Sequence, residues 1–200
     1  MKNDKSHLPC IASSPEELKQ MWKRIAVILL LVLSFSLTNY GTAFAALRSF
    51  VDTSDGYQFL YPNGWVQVRV SDGPDVVFHD LIEFSENVSV VISPVPEGKT
   101  LPELGTPGEV GHKLAKNALA PDGSGRTAEL VNAEQVESNG KIYYKLEYLI
   151  TLPNKQQRHN LASVGISRGK LFTLSASVPE KRWRKLKSAI EESVDSFSVY

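Results

Sequence analysis

The chain has 200 residues, 42% of them hydrophobic, which is enough for one domain with a buried core. Its 22 basic and 22 acidic side chains balance, so the summed positive field that holds nucleic acid or an anionic membrane surface is missing. The one cysteine, Cys10, lies ahead of the apolar N-terminal run, so a chain cleaved after that run has no thiol for a disulfide, a nucleophile or a metal.

Lys23 and Arg24 precede an apolar run over residues 25–37, and Ala43-Phe44-Ala45 then has the small-x-small form that signal peptidase accepts. The run is shorter than the roughly 20 residues that span a bilayer as a helix. The pattern predicts an N-terminal extension and signal peptide over residues 1–45, cleaved after Ala45, followed by a single domain over residues 46–200.

Within the domain, Tyr57, Phe59 and Tyr61 alternate on one face, and Pro62-Asn63-Gly64 supplies a turn before residues 65–70, which predicts a hairpin. Residues 76–80 and 88–92 read as valine-rich strands, the second ended by Pro94 and Pro96. A Pro- and Gly-rich stretch follows, and Thr106-Pro107-Gly108-Glu109 has the form of a capping box opening a helix with Val110, Leu114 and Ala118 on one face. Asp122-Gly123-Ser124-Gly125 is glycine-rich, but it lacks the lysine of a phosphate loop and reads as a connection.

Alternation returns over residues 129–137 and, after Asn139-Gly140, over 142–150, predicting an antiparallel pair. A second pair is predicted over residues 158–167 and 171–178, joined by Arg168-Gly169. Ser177-Val178-Pro179-Glu180 has the form of a second capping box, leading into a helix whose Trp183, Leu186, Ile190 and Val194 must bury against the sheet. Interspersed hairpins and two helices predict an α+β fold with a central antiparallel sheet flanked by helices.

Several segments resemble the PsbP family in the order that family requires. They are Gly56-Tyr57-Gln58-Phe59-Leu60-Tyr61-Pro62-Asn63-Gly64-Trp65, Glu86-Asn87-Val88-Ser89-Val90, Leu104-Gly105-Thr106-Pro107 and Gly140-Lys141-Ile142-Tyr143-Tyr144. The end of the chain adds Arg158-His159-Asn160-Leu161, Gly169-Lys170-Leu171-Phe172-Thr173, Lys181-Arg182-Trp183 and Ser196-Phe197-Ser198-Val199. The resemblance implies an α/β sandwich without enzymatic activity, located in the thylakoid lumen, that binds lumenal subunits or assembly intermediates of photosystem II and supports its assembly, repair or oxygen evolution. It implies no required cofactor, with calcium associated at the level of the family. Many cyanobacterial members resemble lipoproteins, but no cysteine follows the apolar run here, so attachment is expected through protein contacts at the lumenal membrane face, by a monomer.

The residues themselves offer few chemical constellations. The domain has three histidines, His79, His112 and His159, and no nucleophile elbow or H-E-x-x-H helix. His112 reads as solvated, and His79-Asp80 as structural because successive strand residues point to opposite faces. If Arg168-Gly169 is a two-residue turn, counting outward places His159 opposite Val178, within reach of Glu180. Two readings follow: a zinc or manganese site on His159 and Glu180 completed by water or a partner, or a His–Glu hydrogen bond fixing the corner. Finally, Lys181, Arg182, Arg184, Lys185 and Lys187 give the last helix a basic face, with Arg158 and Lys170 expected nearby. That face is either simply solvated or, as the resemblance favours, an electrostatic docking surface for an acidic partner.

Overall fold

The computed structural model describes residues 47–71 and 73–200, together with Glu16, Lys19, Trp22 and Lys23 of a separate N-terminal unit. The apolar run and the expected cleavage site at Ala43 and Ala45 lie outside the described residues. No helix among the described residues is long and apolar enough to cross a membrane.

Among the described residues, ten strands form two antiparallel sheets. β1 (Leu47–Asp52), β2 (Tyr57–Pro62) and β10 (Ser198–Val199) make a small sheet in the order β1-β2-β10. The large sheet has the order β3-β4-β5-β9-β8-β7-β6, with β3 Trp65–Val68, β4 Val76–Asp80, β5 Asn87–Pro94, β6 Thr127–Ser138, β7 Lys141–Thr151, β8 Gln157–Ser167 and β9 Lys170–Pro179. Two helices, α1 (Pro107–Leu114) and α2 (Glu180–Asp195), cover opposite faces of it. This is the expected α+β arrangement.

Period-two alternation sorts the side chains of each strand between two cores. Along β9, Phe172, Leu174, Ala176 and Val178 face the small sheet and α2, where Ile190 and Val194 are buried and Trp183 and Leu186 are partly covered. On the other face, Tyr144, Leu146, Tyr148 and Ile150 of β7 pack with Val110 and Ala115. The tyrosine hydroxyls reach the α1 region: Tyr144 donates to Gly105 O at 2.8 Å and Tyr148 to Gly111 O at 2.9 Å.

Both two-residue turns form as the sequence predicts. Asn139 and Gly140 (φ 52° and 71°) and Arg168 and Gly169 (φ 50° and 68°) take the left-handed values of type I′ turns, pairing Ser138 with Lys141 and Ser167 with Lys170. The Thr106 capping box also forms: Thr106 Oγ1 accepts from Glu109 N, and the Glu109 carboxylate accepts from Thr106 N at 2.8 Å. Those Thr106 contacts hold the Glu109 carboxyl below its ordinary range, the backbone one first.

Three expectations are corrected, and two further features appear. β2 and β3 are not a hairpin: β2 pairs with β1 and β10 and β3 with β4, so Pro62-Asn63-Gly64 carries the chain from one sheet to the other. β1 and β10 are strands that the sequence pattern did not single out. The Pro- and Gly-rich stretch contains a 3-10 turn, Leu101–Leu104, with its own Thr100–Glu103 capping box and a buried Leu101. After Leu114 the helix widens into a π turn, with Ala120 N donating to Ala115 O at 2.8 Å, and the extra residue rotates Ala115 and Leu119 inward and leaves Ala118 exposed. The second capping box does not form, because Ser177 still belongs to β9 and its hydroxyl accepts from Arg158 Nε at 3.0 Å; Pro179 is the N-cap, without a side-chain hydrogen bond.

Candidate functional site

The β8–β9 register places His159 opposite Val178, and Pro179 then bends the chain so that Glu180 opens α2 directly above the ring. His159 is buried; its Nδ1 lies 2.9 Å from Glu180 Oε2 and its Nε2 lies 2.7 Å from Glu147 Oε1. Trp183, one turn into α2, stacks on the imidazole with ring centroids 3.8 Å apart and an 8° interplanar angle. Lys187 Nζ sits 6.0 Å from the indole centroid on the next turn.

The histidine and Glu180 are therefore brought together as the sequence predicts, while Glu147 is an addition. It comes from β7, where Leu149 pairs with His159 and Glu147 with Leu161, so the carboxylate approaches the ring diagonally on the same sheet face. A neutral imidazole carries one N–H, so hydrogen bonds to both carboxylates need a second proton shared among the three groups. With both nitrogens facing carboxylates, the ring is not set as a base beside a hydroxyl or thiol nucleophile.

Two arginines, Arg182 of the basic run and Arg158 of β8, turn inward. Glu86 is only 1% exposed, and the Arg182 guanidinium grips it with two bonds, Nε to Oε1 and Nη2 to Oε2, the second at 3.2 Å. The bond to Glu86 holds the Arg182 guanidinium above its ordinary range. Arg158 donates from Nη2 to Ser85 O and from Nε to Ser177 Oγ, and burial presses its guanidinium below the ordinary value. Both arginines therefore tie the β4–β5 loop to the large sheet and α2.

Lys170 does not join the helix. It is nine residues from Pro179 along β9, roughly 30 Å of extended strand, and its Nζ pairs with Asp55 Oδ1 at 2.6 Å. Lys181, Arg184 and Lys185 are exposed, fall on one helical stripe at i, i+3 and i+4, and make no ion pair among the described residues. Lys187, also exposed, lies 3.6 Å from Glu191. The cations that α2 leaves exposed are thus Lys181, Arg184 and Lys185, with Lys187 beside the tryptophan.

Of the other histidines, His112 is exposed, and His79 Nδ1 contacts Asp80 O at 2.8 Å with its ring against Phe84. A feature without a sequence signal is the approach of Asp52, Asp55 and Asp75, whose carboxylates lie within 4.8 Å of one another. Each already has a partner: Asp52 accepts from Ser54 N and Asp55 N, Asp55 pairs with Lys170, and Asp75 accepts from the buried Tyr57 hydroxyl. Burial first, and then Asp75, push the Tyr57 hydroxyl well above the ordinary tyrosine range.

The chain as a whole is similar to known proteins. The sequence profile described as PsbP matches residues 45–199. CyanoP of Thermosynechococcus vestitus is 52% identical over 163 residues, covering 80% of this chain and 89% of that protein. CyanoP of Synechocystis is 46% identical over 187 residues, covering 92% of this chain and 100% of that protein. PsbP-like protein 1 of Arabidopsis thaliana is 37% identical over 148 residues, 74% of this chain and 62% of that protein. The solution structure of the Synechocystis CyanoP superposes with a TM-score of 0.67 at 48% identity, over 80% of this chain and 96% of that one.

Proposed function

The chain belongs to the PsbP family, and from that membership we propose that it is a non-enzymatic extrinsic protein of the thylakoid lumen that docks on photosystem II and supports its assembly, repair or oxygen evolution. The observation that carries this reading is the match to two CyanoP proteins at 52% and 46% identity over 80% and 92% of the chain. The division of cations on α2 supports docking by charge. Arg182 is consumed by a buried carboxylate, whereas Lys181, Arg184 and Lys185 stand exposed on one stripe without an ion pair among the described residues, placed to meet an acidic surface. The doubly engaged His159 supports a role without catalysis.

The test is charge reversal of that stripe. The triple variant Lys181→Glu, Arg184→Glu, Lys185→Glu is expected to keep its unfolding free energy within about 1 kcal/mol, since exposed substitutions change little. Its recovery of photosystem II core subunits from solubilised thylakoids should fall at least tenfold, on the order of a 1.4 kcal/mol loss in docking free energy. Undiminished recovery would remove the helix stripe from the interface.

A second reading takes the His159 corner as a zinc or manganese site, for which Nδ1 and Glu180 Oε2 are already adjacent at 2.9 Å and would part to the roughly 3.3 Å that separates two ligands of a tetrahedral ion. It requires a metal affinity that His159→Ala abolishes, measured by calorimetric titration with zinc alone.

A further inference from the structure

Three large apolar side chains stand in solvent on one short loop between β4 and β5: Leu81 is 56% exposed, Ile82 91% and Phe84 68%. Single exposed apolar residues are ordinary, but three within four positions make a contiguous apolar tip, which on a soluble domain marks an interaction site. Residues 81–84 fall between the predicted strands 76–80 and 88–92 and match no motif of their own.

The tip is held firmly from below. Asp80 Oδ1 accepts from Ile82 N at 2.8 Å and Glu83 N at 2.7 Å, Glu86 N donates to Glu83 O at 2.8 Å, and Asp80 N donates to Glu86 O at 3.0 Å. Asn87 Nδ2 and Arg158 Nη2 both donate to Ser85 O, and the buried Glu86–Arg182 pair fixes the end of the loop to α2. The amides of Glu83 first, then Ile82, keep the Asp80 carboxyl below its ordinary range, so it remains the charged acceptor the turn needs. A loop ordered before binding loses little entropy on contact, and large apolar side chains presented this way are the usual anchors of an interface.

Charge around the tip favours a protein partner with acidic groups. A recess of about 540 Å³ beside the loop is lined by Glu83, Ser85, Lys155, Arg158, Glu180 and Lys181 among others. Every carboxylate near it is internally engaged: Glu83 by Ser85 Oγ, Glu86 by Arg182, Glu180 by His159 and Asp80 by the loop amides. Lys155 and Lys181 are exposed and make no ion pair among the described residues. Asp80, Glu83, Glu86 and Glu180 offset Lys155, Arg158, Lys181 and Arg182 one for one, and Arg126 near Arg158 adds a single positive charge, less than the basic cluster that holds an anionic bilayer. An apolar centre ringed by mixed charge is the anatomy of a protein interface.

We propose that the 81–84 tip is the apolar anchor of the docking interface, seated in a concave apolar site on a protein partner whose carboxylates meet Lys155 and Lys181. This rests on the docking function proposed above and adds to its helix stripe the contact that carries affinity. The test uses the full chain with an affinity tag, comparing wild type with Ile82→Ser/Phe84→Ser. The variant is expected to unfold at the wild-type midpoint and to recover photosystem II core subunits from detergent-solubilised thylakoids at least tenfold less well. Equal recovery by the two overturns the anchor while leaving the docking function standing; absence of any photosystem component with the wild type overturns the docking function itself. Two further arms name the rival occupants. Wild-type binding to vesicles of phosphatidylglycerol and phosphatidylcholine that the variant loses overturns the protein partner in favour of a lipid surface. A wild-type dimer in sedimentation that the variant dissociates overturns it in favour of a second copy of this chain.

Discussion

Arg182→Ala is expected to lower the unfolding free energy by about 3 kcal/mol, although Arg182 sits in a run of surface cations. Glu86 is 1% exposed and its two oxygens are both taken by this guanidinium, so truncation leaves a carboxylate desolvated and unpaired. The expected cost lies at the low end for a buried pair because the Arg182 side chain is itself 34% exposed, and water can partly replace it. For a domain of this size the melting temperature should fall by roughly 10 °C. Lys181→Ala, one residue away, should change stability by no more than about 0.5 kcal/mol. Replacing both partners by apolar residues, Glu86→Leu with Arg182→Met, should recover most of the loss, since what harms the fold is the orphaned charge and not the missing attraction. Urea unfolding of the four chains checks this; an Arg182→Ala chain as stable as wild type would mean that the pair does not form.

Phe59→Ala should cost more, about 4 kcal/mol. Phe59 is buried on β2, with ring centroids 5.4 Å from Phe50 and 5.9 Å from Phe78 and further contacts to Tyr57 and Tyr61. Phe50, Tyr57, Phe59 and Tyr61 belong to the small sheet and Phe78 to the large one, so this aromatic group is where the two sheets are joined. Removing the ring opens a cavity that neighbours on two different sheets cannot easily close. The expected signature is a fall of roughly 10 to 15 °C in melting temperature, together with altered near-ultraviolet circular dichroism. Phe84→Ala, which removes the same ring from an exposed position, should leave the melting temperature almost unchanged.

The parts of the fold set by local chemistry were readable from sequence. Asn-Gly and Arg-Gly turns between alternating segments fix their own registers, and the second of them was enough to predict that His159 meets Glu180. Glu147 could not be found that way, because β7 and β8 are joined by residues 152–156 instead of a two-residue turn, and a longer loop leaves the register open. The small sheet was hidden for a related reason: Pro62-Asn63-Gly64 looks the same whether the chain returns to its own sheet or crosses to another. β1 carries Arg48, Ser49 and Asp52 within six residues and shows little alternation.

Charge was the least legible property. The run from Lys181 to Lys187 reads as one basic face, yet Arg182 reaches down to a buried carboxylate and Lys170 is occupied at the other end of β9. Nothing in Ser85-Glu86-Asn87 signals that Glu86 is buried, because that burial depends on a helix that begins 94 residues later (180 minus 86). The Ser177 hydroxyl fits a capping box by spacing, and is diverted to Arg158 by a contact made only in the folded sheet.

The central claim, that this domain docks on photosystem II through exposed cations and an apolar tip, is tested most directly by the salt dependence of what the tagged wild-type chain recovers from detergent-solubilised thylakoids. The account predicts recovery of photosystem II core or assembly subunits at low salt and a several-fold decline at high salt, where exposed surface charges such as Lys181, Arg184 and Lys185 are screened. Recovery of no photosystem component at either salt concentration would contradict it.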